Sequence, residues 1–427
     1  MQGVARAAGH WIVLAAGVFS GIAIGILTLH SMVWAAVFAA VGAVLAAVFL
    51  NTRAVRNTSV TLVTVFVCLL IGEGVIAYSQ RPSPPPANGA TTAPPATPPT
   101  GPAATPAAAP AVAPTPAPVA NLIAHFEPES LFVPDPALGW KLRPASVIRA
   151  VRARGPHTIY DARYTIDARG QRVTPDSNPD GETVLFMGDS FMFGDGLPDG
   201  ETVPQLFALK TDRRFHVVNL GVSAYGPHQV LRQIEEGVVD RAITRDDAGK
   251  RKVRAAFLYF NDDQLPRAAG DKNQEWWWRV APQYERTADG LRLAGTAAEV
   301  WDRRGYVERA VAQAVRDSVI APHIRRVVRA YPQLKLSEAI IGRVRQQLRE
   351  RYDVELVVIY WSKDPSRFYP TTISWMIERT GAPMMFIPDL MPPLGLTLEN
   401  ALIPDDGHPN RRLNEAIAAA LATRYIR

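Results

Sequence analysis

The 427-residue chain has a single cysteine, Cys68, so no intrachain disulfide can form and cysteine usage says nothing about redox compartment. Histidines are also few, eight in all, and none falls in a Cys/His cluster with zinc-site spacing. No metal and no cofactor are therefore expected. Charge is scarce in residues 1–81, which hold only Arg6, Arg53, Arg56, Glu73 and Arg81. Those few groups carry half of the formal net charge of +6, leaving a weak surplus for all that follows. No Lys/Arg block is long enough to track a phosphate backbone, which argues against a nucleic-acid partner.

Where charge is missing, apolar runs take its place: about 11–29, 32–50 and 59–78. At about 19–20 residues each, they match a bilayer core of about 30 Å. Three transmembrane helices are the expectation; the alternative, a cleaved signal peptide plus two helices, suits the length of the first run less well. Arg6, Arg53 and Arg56 then fall on one side and Arg81 on the other, so the positive-inside rule puts the N-terminus in the cytoplasm. Everything after Arg81 lies beyond the membrane, periplasmic or extracellular. Glu73, inside the third run, reads as an interfacial or helix-pairing group or as a functional one.

Residues 82–120 form a Pro/Ala/Thr tract without charge and almost without large apolar side chains. Such a segment cannot bury enough surface to offset its ordering entropy, and predicts an unfolded, PPII-rich spacer.

The folded domain is expected over 121–427. Residues 121–180 read as a β-rich lead-in. Thr183–Met187, His216–Leu220, Val253–Phe260, Val354–Tyr360 and Met384–Ile387 then read as strands alternating with helical patterns. That alternation predicts an α/β fold with a parallel sheet covered on both faces, and a ligand site at the strands' carboxyl ends. The long 264–350 stretch predicts a helical insertion. It carries Trp276-Trp277-Trp278, which either anchor the insertion or stack on a ligand, and Arg325-Arg326 with Arg329, read as a solvated helix face.

Chemistry-bearing residues cluster at the strand ends. Gly188-Asp189-Ser190 closes the first strand, and a following helix would set Ser190 at a helix N-terminus. The G-x-S-x-G elbow does not fit, because Met192 stands at its last glycine. Gly221 follows the second strand and Asn261 the third; either can aim a donor at an oxyanion. Near the C-terminus, Asp405 precedes His408 by three residues in a Pro/Gly-rich turn, a spacing that lets a carboxylate fix an imidazole tautomer. Taken singly, each of these is also a common cap, turn or solvated loop.

In this order the four segments resemble the SGNH/GDSL hydrolase superfamily, in particular bacterial, membrane-anchored members. Gly188-Asp189-Ser190, Gly221, Asn261 and Asp405-x-x-His408 stand where its blocks do, with Tyr259 in place of a glycine in the third. The resemblance implies a flavodoxin-like three-layer α/β/α sandwich with a parallel sheet. It further implies a triad of Ser190, His408 and Asp405, and an oxyanion hole from the Ser190 and Gly221 amides with the Asn261 side chain. The expected activity is a serine esterase or deacylase acting on an O-acylated cell-envelope glycan or a lipid ester. Two alternatives stand beside it: an O-acyltransferase supplied by a separate membrane acyl donor, and a catalytically silent glycan-binding protein.

Overall fold

The computed structural model describes residues 124–243, 249, 252–270, 279–305, 330–362 and 368–426. The three expected spans, Glu73, the 82–120 linker, Trp276-Trp277-Trp278 and the Arg325, Arg326 and Arg329 group lie outside them. Among the described residues no helix is long and apolar enough to cross a membrane.

The lead-in is built of short antiparallel strands. β1 (His125–Glu127) pairs with β4 (Ser146–Arg154), which pairs in turn with β5 (His157–Ile166). β2 (Phe132–Asp135) and β3 (Gly139–Leu142) form a separate hairpin. Ile148, Ala150, Ala162 and Tyr164 point inward from β4 and β5, onto a core shared with Trp140, Phe193 and Tyr225. These inward residues stand two apart on each strand, as the period of a half-buried strand requires. After the Asp167–Gly170 turn, Arg172 bridges to Ile166 on one side and to Asn219 on the other. The lead-in is thereby stitched to the edge of the main sheet.

That main sheet has five parallel strands: β6 (Thr183–Met187), β7 (His216–Asn219), β8 (Val253–Asn261), β11 (Leu356–Trp361) and β12 (Met384–Phe386). Their spatial order is β12-β11-β8-β6-β7. Each begins within two residues of the position read from sequence, because β-branched and aromatic runs of this kind suit strands buried on both faces.

Alternation along β6 divides the interior into two layers. Leu185 and Met187 face a core closed by α3 (Pro227–Glu235), α4 (Val238–Ala242), α5 (Gln264–Ala268), α7 (Ala330–Tyr352) and α8 (Phe368–Arg379). Val184 and Phe186 face the opposite core, closed by α2 (Val203–Lys210) and α10 (Arg411–Tyr425). Phe186, Phe207 and Phe257 meet there with ring centroids 5.1–6.0 Å apart. Each such ring contributes roughly 1.5–3 kcal/mol by burial.

The stretch expected to be a helical insertion holds a β-hairpin as well as helices. β9 (Pro282–Thr287) and β10 (Gly290–Thr296) pair antiparallel and run into α6 (Ala297–Asp302). Thr296 and Glu299 cap that helix reciprocally, the Thr296 N–H donating to Glu299 and the Glu299 N–H to Thr296 Oγ1.

The chain leaves β6 toward β7 on one side and returns to β8 on the other. The carboxyl ends of β6 and β8 therefore flank a topological switch point, where open α/β sheets leave a crevice.

Candidate active site

β6 runs into Gly188, whose φ of +146° and close packing oppose a side chain. A Cβ there would stand 3.0 Å from both the Cβ and the carbonyl oxygen of Tyr259. The chain turns sharply into α1 (Ser190–Phe193), with Asp189 as its N-cap accepting from the Phe191 N–H. α1 is a single turn, closed by Gly194 at φ +88°. The helix-dipole contribution expected at Ser190 is accordingly small; what the turn supplies is position.

The carbonyls at the end of this turn are held by Arg172, whose side chain is fully buried. It donates to the carbonyls of Phe193, Gly194 and Leu197 and to Asp199, and lies over the rings of Tyr164 and Phe193.

His408 arrives on the loop between α9 (Leu398–Ala401) and α10. The His408 carbonyl accepts from the Ile403 N–H, and the Gly407 N–H bonds back to the Ile403 carbonyl. Asn410 anchors the far side, capping α10 with its oxygen and donating to the Asn400 and Leu402 carbonyls. This framing places His408 Nε2 2.8 Å from Ser190 Oγ, with the ring packed 5.0 Å from that of Phe191.

The carboxylate on the other ring nitrogen is Asp406, not Asp405. Asp406 Oδ1 stands 2.5 Å from His408 Nδ1 and also accepts the His408 N–H at 3.0 Å. Asp405 takes a left-handed conformation, φ +60°, at the tip of the turn, which throws its side chain outward to Arg154 at 3.0 Å. The three-residue spacing chosen from sequence is thus wrong by one residue. Two adjacent aspartates both lay within reach of His408, and only the turn geometry separates them. With Asp406 on Nδ1, that nitrogen carries the proton and Nε2 is left to accept from Ser190.

Burial alone would push the His408 imidazole toward the neutral form. The Asp406 hydrogen bond and the charges of Asp195, Asp406 and Asp189 outweigh it, and its pKa is raised. Asp406 is buried, which would raise its pKa, yet its bonds to His408 and the Arg152 cation bring it below the ordinary carboxylate value. Asp195 lies just past α1, where its N–H donates to the Ser190 carbonyl and its Oδ1 accepts from Ser223 at 2.9 Å. Its carboxyl is raised by burial against the opposing pull of His408 and Ser223.

The expected oxyanion donors divide. Asn261, the last residue of β8, is buried beside the serine turn: its Oδ1 accepts the Asp263 N–H and its Nδ2 donates to Asp189 Oδ2 at 2.7 Å. Those partners fix the amide orientation and account for one of its two N–H groups. The Ser190 amide, first in its helical turn, has no intrahelical acceptor. The Gly221 amide, by contrast, already donates to Asn219 Oδ1 at 3.0 Å. Glycine is required at 221 for packing, since a Cβ would come 2.5 Å from the Phe193 nitrogen. Asn219 is the residue missed here: it ties Gly221 to the serine turn by also donating to the Met192 and Phe193 carbonyls. Arg267 was missed as well. From α5 it reaches the buried Asp189 at 2.8 Å and the Tyr225 carbonyl at 3.0 Å. Tyr259 fills the wall with its ring 5.3 Å from Phe191, and its hydroxyl is buried without a hydrogen-bond partner.

Among the described residues no group of three or more His, Cys, Asp or Glu side chains is arranged to hold a metal ion. A serine hydroxyl, an imidazole acceptor and a buried carboxylate in line, with an amide side chain alongside, constitute the parts needed for acyl transfer through a serine ester.

No family model matches the chain, and no curated protein matches it. Among solved structures it is similar to one from Desulfitobacterium hafniense DCB-2, described as a lipolytic protein of the G-D-S-L family. The identity is 10% and the TM-score 0.32, over 57% of this chain and 99% of the other.

Proposed function

We propose that this chain is a serine-dependent ester hydrolase whose nucleophile is Ser190. The observation that carries the reading is the relay from Ser190 Oγ through His408 to Asp406, at 2.8 and 2.5 Å. Ser190 attacks an acyl carbonyl as His408 Nε2 takes its proton. The tetrahedral oxygen is met by the Ser190 amide and the second N–H of Asn261. His408 then returns the proton to the leaving alcohol, and water releases the acyl group by the same route. Asp406 holds the imidazole in the required tautomer and offsets its positive charge.

The substrate class that suits the rest of the sequence is an O-acylated cell-envelope glycan or a lipid ester. Three apolar runs and an uncharged spacer would hold the domain outside the cytoplasmic membrane, where such esters occur.

The test is fluorophosphonate labelling of the full chain in detergent, with hydrolysis of nitrophenyl esters from acetyl to long-chain acyl measured in parallel. Wild type should label and turn over, and Ser190→Ala should do neither. Equal labelling and turnover by the two proteins would refute the reading.

A further inference from the structure

The lead-in sheet does more than cover the edge of the domain, because one of its side chains enters the relay. Arg152, on β4, donates from Nη1 to Asp406 Oδ2, the carboxylate oxygen that His408 does not use. The Asp406 side chain is fully buried and that of Arg152 is 13% exposed, so solvent screens this pair poorly. Two residues further along β4, Arg154 holds the outward-facing Asp405 in a pair exposed on both sides. The strand thus meets both adjacent aspartates, the inward one at the imidazole and the outward one at the surface.

Net stability is a weak account of the inner pair. The Arg152 Nε is buried with no hydrogen-bond partner, and buried ion pairs often contribute little net free energy after desolvation. Such an arrangement calls for another reason.

We infer that Arg152 is a positioning residue of the active site, fixing the Asp406 carboxylate and moderating how strongly that carboxylate attracts the proton of His408. The inference rests on the proposed Ser190–His408–Asp406 relay. With Arg152 in place, part of the Asp406 charge is neutralised, and His408 loses its proton at a lower pH than Asp406 alone would allow. The other charged groups that act on His408 work in the opposite sense. Asp195 beyond α1 and Asp189 at the end of β6 raise its pKa, the latter while bound to Arg267. Tyr160 and Tyr164 on β5 are held neutral, with burial the leading cause. Tyr259 on β8 is likewise neutral, and Arg172 is engaged with Asp199. Arg152 is the cation that touches Asp406.

The experiment compares full-length wild type with Arg152→Met, Arg152→Lys and Arg154→Met. Two readouts are followed against pH: kcat and KM for a nitrophenyl ester, and carbethoxylation of His408 by diethylpyrocarbonate, quantified by mass spectrometry. Arg152→Met should lower kcat at least about tenfold with KM little changed, and move both midpoints upward by about one pH unit. Arg152→Lys should restore the midpoint and only part of kcat, since an ammonium keeps the charge without the planar fork. Arg154→Met should match wild type. Unchanged midpoints in Arg152→Met, or an equal shift in Arg154→Met, would overturn the inference. Should Arg152→Met fail to fold, Arg152→Lys decides: a wild-type kcat there overturns it, and a lowered kcat at the wild-type midpoint supports it. If the wild-type chain neither labels nor hydrolyses, the ester-hydrolase reading fails, while the carbethoxylation midpoints still test Arg152.

Discussion

His408 Nε2 stands 2.8 Å from Ser190 Oγ although 218 positions separate the two residues in the chain. The contact is assembled from three elements with no sequence proximity: the turn after β6, the loop before α10, and the lead-in strand that grips that loop. The hydroxyl of Ser190, a buried residue, is already within proton-transfer distance of a ring acceptor.

The aspartate assignment separates cleanly in a pair of variants. Asp406→Asn should reduce kcat by roughly 10,000-fold, because an amide on Nδ1 favours the wrong tautomer and cannot offset the imidazolium charge. Asp405→Asn should stay within a few-fold of wild type, since that side chain pairs with Arg154 away from the imidazole. Ester hydrolysis by the two proteins, each checked for a wild-type melting transition, gives the answer.

The dependence on pH follows from the raised His408 pKa. A base must be neutral to accept from Ser190, so kcat/KM should climb with a midpoint above the ordinary 6.5 of histidine. In Asp406→Asn the residual activity should show a lower midpoint, because the largest favourable partner of the imidazolium is gone. The same shift has a consequence for stability. A pKa raised on folding contributes fully below 6.5 and is lost as pH rises through the folded value, so tightening of the relay should favour the folded state on the acid side of the activity midpoint.

Asn261 and Gly221 should fail in different ways. Asn261→Ala removes a donor to the developing oxyanion and should lower kcat about 100- to 1,000-fold with KM little altered. Gly221→Ala forces a methyl against the Phe193 nitrogen, and should cost about 1–3 kcal/mol of stability as an overpacked site. Thermal melting alongside steady-state kinetics distinguishes the two.

His228, on α3, gives a prediction away from the chemistry. Burial first, and the Arg267 cation second, push its pKa down to about 3 from 6.5. Between those values the unfolded chain binds a proton that the native state refuses, so this group erodes stability as pH falls from 6.5 toward 3. In His228→Asn the decline of melting temperature over that range should be shallower than in wild type. Parallel curves for the two proteins would refute a buried neutral His228.

The sequence by itself determined the strands of the parallel sheet and the closing helix, and pointed to three residues of the candidate site. Apolar runs of three to nine residues rich in β-branched and aromatic side chains, flanked by turns, state a buried strand locally. Ser190 and Asn261 were legible because each stands at the carboxyl end of such a strand, and His408 because it follows aspartates in a Pro/Gly-rich turn. Tertiary structure alone decided which aspartate serves His408, since Asp405 and Asp406 are chemically identical and only the left-handed turn at Asp405 points one away. It also decided that Gly221 is needed for close packing with its amide already engaged, a matter of which backbone lies opposite. Arg152 carried no signal at all in sequence, being 254 positions from the carboxylate it grips. Hydrophobic periodicity specifies how an element buries its own face, whereas ion pairs across a site depend on where separate elements come to rest, and that is fixed by packing.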